Sequence, residues 1–108
     1  MRKARVYFDQ KLCGYLEETD QGYRFTYTSA WFDDPSLPPV SLTMPKEKKV
    51  YESSVFFPFF DGLIPEGYLL EKVMDRWSIP FQDRFGLLLK SGADPIGAAS
   101  IEEEKEDE

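Results

Sequence analysis

Residues 53–70, SSVFFPFFDGLIPEGYLL, hold four of the chain's nine phenylalanines and a run of aliphatics, broken by Pro58, Asp61-Gly62 and Pro65. So much apolar surface in one short stretch must be buried against the rest of the chain. Helical spacing places Phe56, Phe59 and Phe60 at i, i+3 and i+4, with Ser53 or Ser54 available as the cap and Pro58 tolerated in the first turn. The stretch therefore reads as a core helix followed by a stiff turn. Within that turn, Asp61, Gly62, Leu63, Ile64, Pro65 and Glu66 form a candidate apolar knuckle for a partner, with Leu63 and Ile64 as the anchor. Asp61 and Glu66 stand either as an acidic rim or, for at least one of them, as the cap of the helix that follows.

Working outward, the chain downstream of Pro65 continues in helical period. In EGYLLEKVMDRW, Leu69, Leu70, Val73, Met74 and Trp77 form one face, while Glu71, Lys72, Asp75 and Arg76 form the other. Ser78-Ile79-Pro80 ends this helix. A second runs through FQDRFGLLLK, burying Phe81, Phe85, Leu88 and Leu89, with Gly92 as a left-handed stop. PIGAASIE is then a strand whose small residues allow close approach.

Upstream of the central stretch the period is 2. Ala4, Val6 and Phe8 alternate with polar neighbours; LCGYLEE sets Leu12, Gly14 and Leu16 against Cys13, Tyr15 and Glu17; and Tyr23, Phe25 and Tyr27 alternate in YRFTYT. Joined by the turns at 9–11 and 19–22, these make an antiparallel meander. One helical turn capped by Ser29 and a proline-rich loop at 33–39 follow. Val40, Leu42 and Met44 then suggest a fourth strand stopped by Pro45, and KEKKVYES reads as a charged surface connection. The expected architecture is α+β: a small twisted antiparallel sheet of about five strands, partly closed, covered by two or three helices.

With 108 residues, 42% of them hydrophobic and 16% aromatic, the chain has the means for one modest core. Its net charge of −7 sits mostly in the last seven residues, where six acids and one lysine carry −5 and leave −2 for residues 1–101. The domain is accordingly placed at 1–101 and an acidic disordered tail at 102–108. No basic face offers itself to phosphates, so nucleic acid is not an expected direct ligand. No apolar run reaches the length of a spanning helix, and the single Cys13 has no disulfide partner within the chain, which points to a cytoplasmic protein without membrane association.

Residues for chemistry are sparse. There is no histidine to serve as base or metal ligand, and Cys13 has none to activate it. The stretch Ser91–Gly97 is glycine-rich but lacks the Gly-Lys-Ser/Thr ending of a phosphate loop and precedes a strand. Asp33-Asp34 and the pair Asp61 and Glu66 sit in turns and at a helix start, where the helix dipole explains them. No catalytic residue, cofactor or metal is expected.

The hairpin VYFDQKLCGYL, the segment PPVSLTMP, FFDGLIPE at 59–66 and GADPIGA at 92–98 occur in an order that resembles the N-terminal subdomain of the HipA family of serine/threonine kinase toxins, over residues 4–101. None of the nucleotide-binding and catalytic motifs of a full-length kinase of that family is present. The resemblance is therefore strongest to HipS, the small antitoxin of three-part HipB-HipS-HipT systems, in which the kinase receives this subdomain as a separate chain. It implies an antitoxin that binds a HipT-like kinase toxin, in a complex that a HipB-like DNA-binding protein can join. An N-terminal subdomain taken from a longer HipA-like kinase would present the same body, although an acidic run after the last strand fits a free-standing protein. The mechanism expected is wedging of the 61–66 turn into the kinase, with 92–98 as the next candidate surface.

Overall fold

Alternation at the N-terminus produces β1, Lys3–Phe8, with Ala4 and Val6 fully buried. The computed structural model describes residues 1–93 and 97–104. Asp9 and Gln10 both adopt left-handed backbone (φ 49° and 67°), forming a tight turn whose twist suits a two-stranded hairpin. The return strand is β2, Lys11–Thr19. Val6 faces Gly14 across the pair, but Tyr7 faces Leu12, so Cys13 is the extra residue of a β-bulge. That bulge turns Cys13 into the core alongside Gly14 and leaves Leu12 half-buried, a departure from the strict alternation expected. Burial pushes the Cys13 thiol up to about 12.

The third strand, β3 (Gly22–Tyr27), buries Phe25 and Tyr27 as the pattern predicts. It lies so close to β2 that a Cβ on Gly14 would stand 2.6 Å from the Thr26 carbonyl oxygen. The next turn, α1 (Ser29–Phe32), is capped by the side chain of Thr28, not by Ser29.

The segment at 40–45 is not a strand. Tyr27 organises it instead: the phenol oxygen accepts from the Val40 amide at 3.0 Å and donates to the Met44 carbonyl. Desolvation of that phenol raises its pKa to about 12. The Trp31 indole nitrogen donates to the Pro38 carbonyl at 2.8 Å. Val40 and Met44 are buried while Leu42 is 93% exposed, so the chain makes a loop pinned by two aromatic side chains and the alternation is a coincidence of that loop. The strand lies later, in the segment expected to be a charged connection: β4, Val50–Ser53, pairs antiparallel with β3.

Of the phenylalanine cluster at 56–60, only Pro58, Phe59 and Phe60 are helical, in the short α2, Pro58–Asp61. Pro58 occupies the first turn as expected, but it also forces the preceding Phe57 into extended backbone (ψ 127°), so no helix can reach back to Phe56. Neither Ser53 nor Ser54 serves as its cap. Phe57 and Phe60 are buried and Phe56 and Phe59 half-buried; Phe56 meets Tyr23 edge-on at 5.0 Å. The remaining elements are α3 (Gly67–Trp77), α4 (Arg84–Ser91) and β5 (Ala99–Glu104).

The sheet has the order β4-β3-β2-β1-β5, antiparallel throughout. It is open, with β4 and β5 at opposite edges, where partial closure was expected. α4 packs against α2, α3 and β5, and Phe25, Phe60, Phe85, Leu87 and Leu88 fill the interior with Val6, Leu16 and Ile101. Gly92 ends α4 in right-handed backbone (φ −81°); glycine is needed there because Ile101 approaches to 2.7 Å of where a Cβ would stand.

β5 continues past the boundary expected at 101. Its register sets Glu102 opposite Arg5 and Glu104 opposite Lys3, forming ion pairs with both, so these acids are strand residues and not tail. Residues 105–108, and Asp94, Pro95 and Ile96 of the expected strand and of the 92–98 surface, lie outside the described residues.

Candidate functional site

The turn from Asp61 to Glu66 is wound tightly by its own backbone. The Leu63 amide donates to the Phe60 carbonyl and the Ile64 amide to the Asp61 carbonyl, both at 3.1 Å. This winding points successive side chains in different directions. Ile64 turns inward and is 4% exposed, packed in the core, so it cannot stand out beside Leu63 as the second half of an exposed anchor. Leu63 and Pro65 are half-buried at the surface, and Gly62 and Glu66 are exposed.

The capping role expected for at least one of the two acids is not taken up by either. The Asp61 carboxylate accepts from Nε of Arg84 at 2.6 Å, tying the turn to the first residue of α4. Glu66 stands at the N-cap position of α3 with extended backbone, but its side chain makes no capping bond. Neither residue caps α3.

Sequence reasoning placed Leu69 and Trp77 in the packed stripe of α3, and the structure does not. Leu70, Val73 and Met74 are half-buried against the core; Tyr68, Leu69 and Trp77 are exposed by 69%, 62% and 45%. No residue of α3 is fully buried. Its main contact with another helix or strand is α4, and an edge of its apolar face is left open. On the helix circumference Leu69 stands at one edge of the stripe, a signal for its exposure, whereas Trp77 stands at the centre of the stripe and is exposed as the last residue of the helix.

Leu63 and Pro65 from the turn, Leu69, Lys72 and Val73 from α3, and the C-terminal end of α4 at Lys90 enclose a groove of about 370 Å³. Beyond it, Trp77 lies between two cations, the Arg76 guanidinium at 5.2 Å and Lys90 Nζ at 4.8 Å from its ring centre. Lys90 also pairs with Glu103 of β5 at 3.5 Å.

The opposite side of α4 is held by charge. Asp83 caps the helix by accepting from the Gly86 amide at 3.0 Å and receives a two-pronged bond from Arg2, whose guanidinium also grips Glu18. Those hydrogen bonds hold the Asp83 and Glu18 carboxyls below their ordinary range and the Arg2 guanidinium above its own. Among the described residues, no cluster of His, Cys, Asp and Glu has the arrangement of a metal site, and no helix is long and apolar enough to cross a membrane.

Over residues 4–102 the sequence matches a known family model, the HipA N-terminal domain. The chain belongs to the HipA N-terminal domain family. A solved structure described as the N-terminal domain of HipA toxin superposes with a TM-score of 0.75 at 28% identity, covering 99% of this chain and 96% of that one. An uncharacterized protein of Haemophilus influenzae is 34% identical over 106 residues, 98% of this chain and 96% of that protein. A protein of Sinorhizobium fredii described as the putative kinase Y4mE is 28% identical over 102 residues, 94% of this chain and 24% of that protein. The family connects the chain to HipA toxin–antitoxin systems.

Proposed function

We propose that this chain is an antitoxin that binds and restrains a HipT-like serine/threonine kinase toxin by contact, performing no chemistry of its own. The observation that carries this reading is the open apolar edge of α3: Leu69 is 62% exposed beside the Leu63–Pro65 turn and lines one groove with it. The docking surface is Leu63 and Pro65 together with Leu69, flanked by Gly62, Asp61 and Glu66; Ile64 supports it from inside. The turn is pre-wound, so little ordering entropy opposes docking, and each of the two leucines, already partly covered, adds on the order of 1 kcal/mol when its remaining surface is desolvated. Inhibition follows from wedging this surface against the kinase. A HipB-like DNA-binding protein is the third member to look for in the same complex. Support for a free-standing chain comes from the Haemophilus relative of nearly the same length.

One observation favours a second reading, in which the chain is the N-terminal regulatory subdomain of a longer HipA-like kinase: the putative kinase from Sinorhizobium carries the matching region as a minor part of its length. A short kinase reading frame beside the gene separates the two. Co-expression with that kinase should give a complex that co-purifies and should rescue growth. A kinase that is neither bound nor restrained by the chain refutes the antitoxin reading.

A further inference from the structure

The groove beside α3 is cationic at its rim although the protein is acidic overall. Its floor is Leu63, Pro65, Leu69 and Val73, its charged lining is Lys72 and Lys90, and no carboxylate lines it among the described residues. The chain as a whole carries −7. Lys72 forms no ion pair among the described residues and rests its ammonium 5.0 Å from the Tyr68 ring centre. Lys90 has a single carboxylate partner, Glu103 at 3.5 Å, so it too keeps donors free. Glu71 and Asp75 lie on the other flank of α3, with Tyr68, Lys72 and Arg76.

We propose that the groove receives a segment of a partner protein whose apolar anchor sits on Leu63, Leu69 and Val73 and whose flanking glutamate or aspartate residues meet Lys72 and Lys90. This rests on the reading of the α3 edge as the kinase-binding face and adds the chemistry of what binds there. Charge complementarity selects the occupant: two cations over an apolar floor match an acidic amphipathic segment, whereas two lysines fall short of the basic face that the phosphates of a nucleic acid require.

The test measures binding of the adjacent kinase, in catalytically inactive form, to the full chain and to three variants. Leu69→Ser should weaken binding roughly 10- to 100-fold by removing the anchor. The pair Lys72→Glu with Lys90→Glu should weaken it about 10-fold or more and flatten its dependence on salt, while Lys72→Arg with Lys90→Arg retains both. If Leu69→Ser weakens binding but charge reversal changes neither affinity nor salt dependence, the acidic segment is wrong and the docking face stands. If the unaltered chain does not bind the kinase, the functional reading falls, and two synthetic peptides settle the groove independently. They share one leucine anchor, flanked by glutamates in one and lysines in the other. The glutamate peptide should shift the amide resonances of Leu69, Val73 and Lys90 at about tenfold lower concentration; equal effects, or none, overturn the proposal.

Discussion

Helices α3 and α4 carry apolar residues at the same spacing, yet they have opposite fates. In α4, Phe85, Gly86, Leu87 and Leu88 are all buried, and Asp83 caps the start under the grip of Arg2. In α3 nothing is fully buried, no side chain caps the first turn, and three large apolar residues face outward. The difference lies in the neighbours: α4 has α2, α3 and β5 around it, whereas α3 leans on α4. An amphipathic pattern thus states how much apolar surface a helix offers, and packing determines how much of it is taken up. What remains open is available for binding.

The sharpest way to break this contrast is to cut into α4. Phe85 is fully buried and stacks near Phe56 and Tyr23, so Phe85→Ala should destabilise the domain by about 3–5 kcal/mol in denaturant unfolding. Ile64→Ser comes next, at about 2–4 kcal/mol, because it places a hydroxyl in the core under the candidate surface. A combined replacement of Leu63 and Ile64 would therefore report on folding as much as on binding.

Arg2→Ala should cost about 1–2 kcal/mol near neutral pH, a figure held down because all three ionic groups are roughly a quarter to a third exposed. The pH dependence has a definite sign. Glu18 and Asp83 titrate below their ordinary range in the folded protein, so the unfolded chain takes up protons first as pH falls through about 4. Their contribution is complete above that pH and disappears as the solution is acidified through the depressed values. Thermal melts should show this acid-side loss in the unaltered protein and a shallower one in Arg2→Ala. An unchanged slope would mean that Arg2 does not hold the two carboxyls.

The smallest stability effect belongs to α3. Leu69→Ser should change unfolding free energy by no more than about 0.5 kcal/mol, since Leu69 is mostly exposed. A loss as large as that of Ile64→Ser would place Leu69 in the core and abolish the contrast between the helices.

Sequence alone was enough for the first three strands, both long helices and the α+β class, because each rests on local periodicity: β3 alternates, and α3 and α4 repeat at helical spacing whatever surrounds them. Short motifs were enough for the family resemblance. Sequence was also enough to find the 61–66 turn, whose prolines and glycine act locally. Phe81, expected on the buried face of the second helix, instead precedes α4 and is 55% exposed. Tertiary structure alone decided four things. It set Val40 and Met44 in a loop, since the Tyr27 hydroxyl that holds their backbone comes from a strand residue well before them. It made a strand of Val50–Ser53 because β3 offered an unpaired edge, and it drew Glu102 and Glu104 into β5 because Arg5 and Lys3 faced them. It also split the apolar turn and the apolar stripe of α3, sending Ile64 and Leu70 inward and leaving Leu63 and Leu69 at the surface. A side chain's hydrophobicity is a property of the residue; whether something covers it depends on the neighbours that the fold supplies.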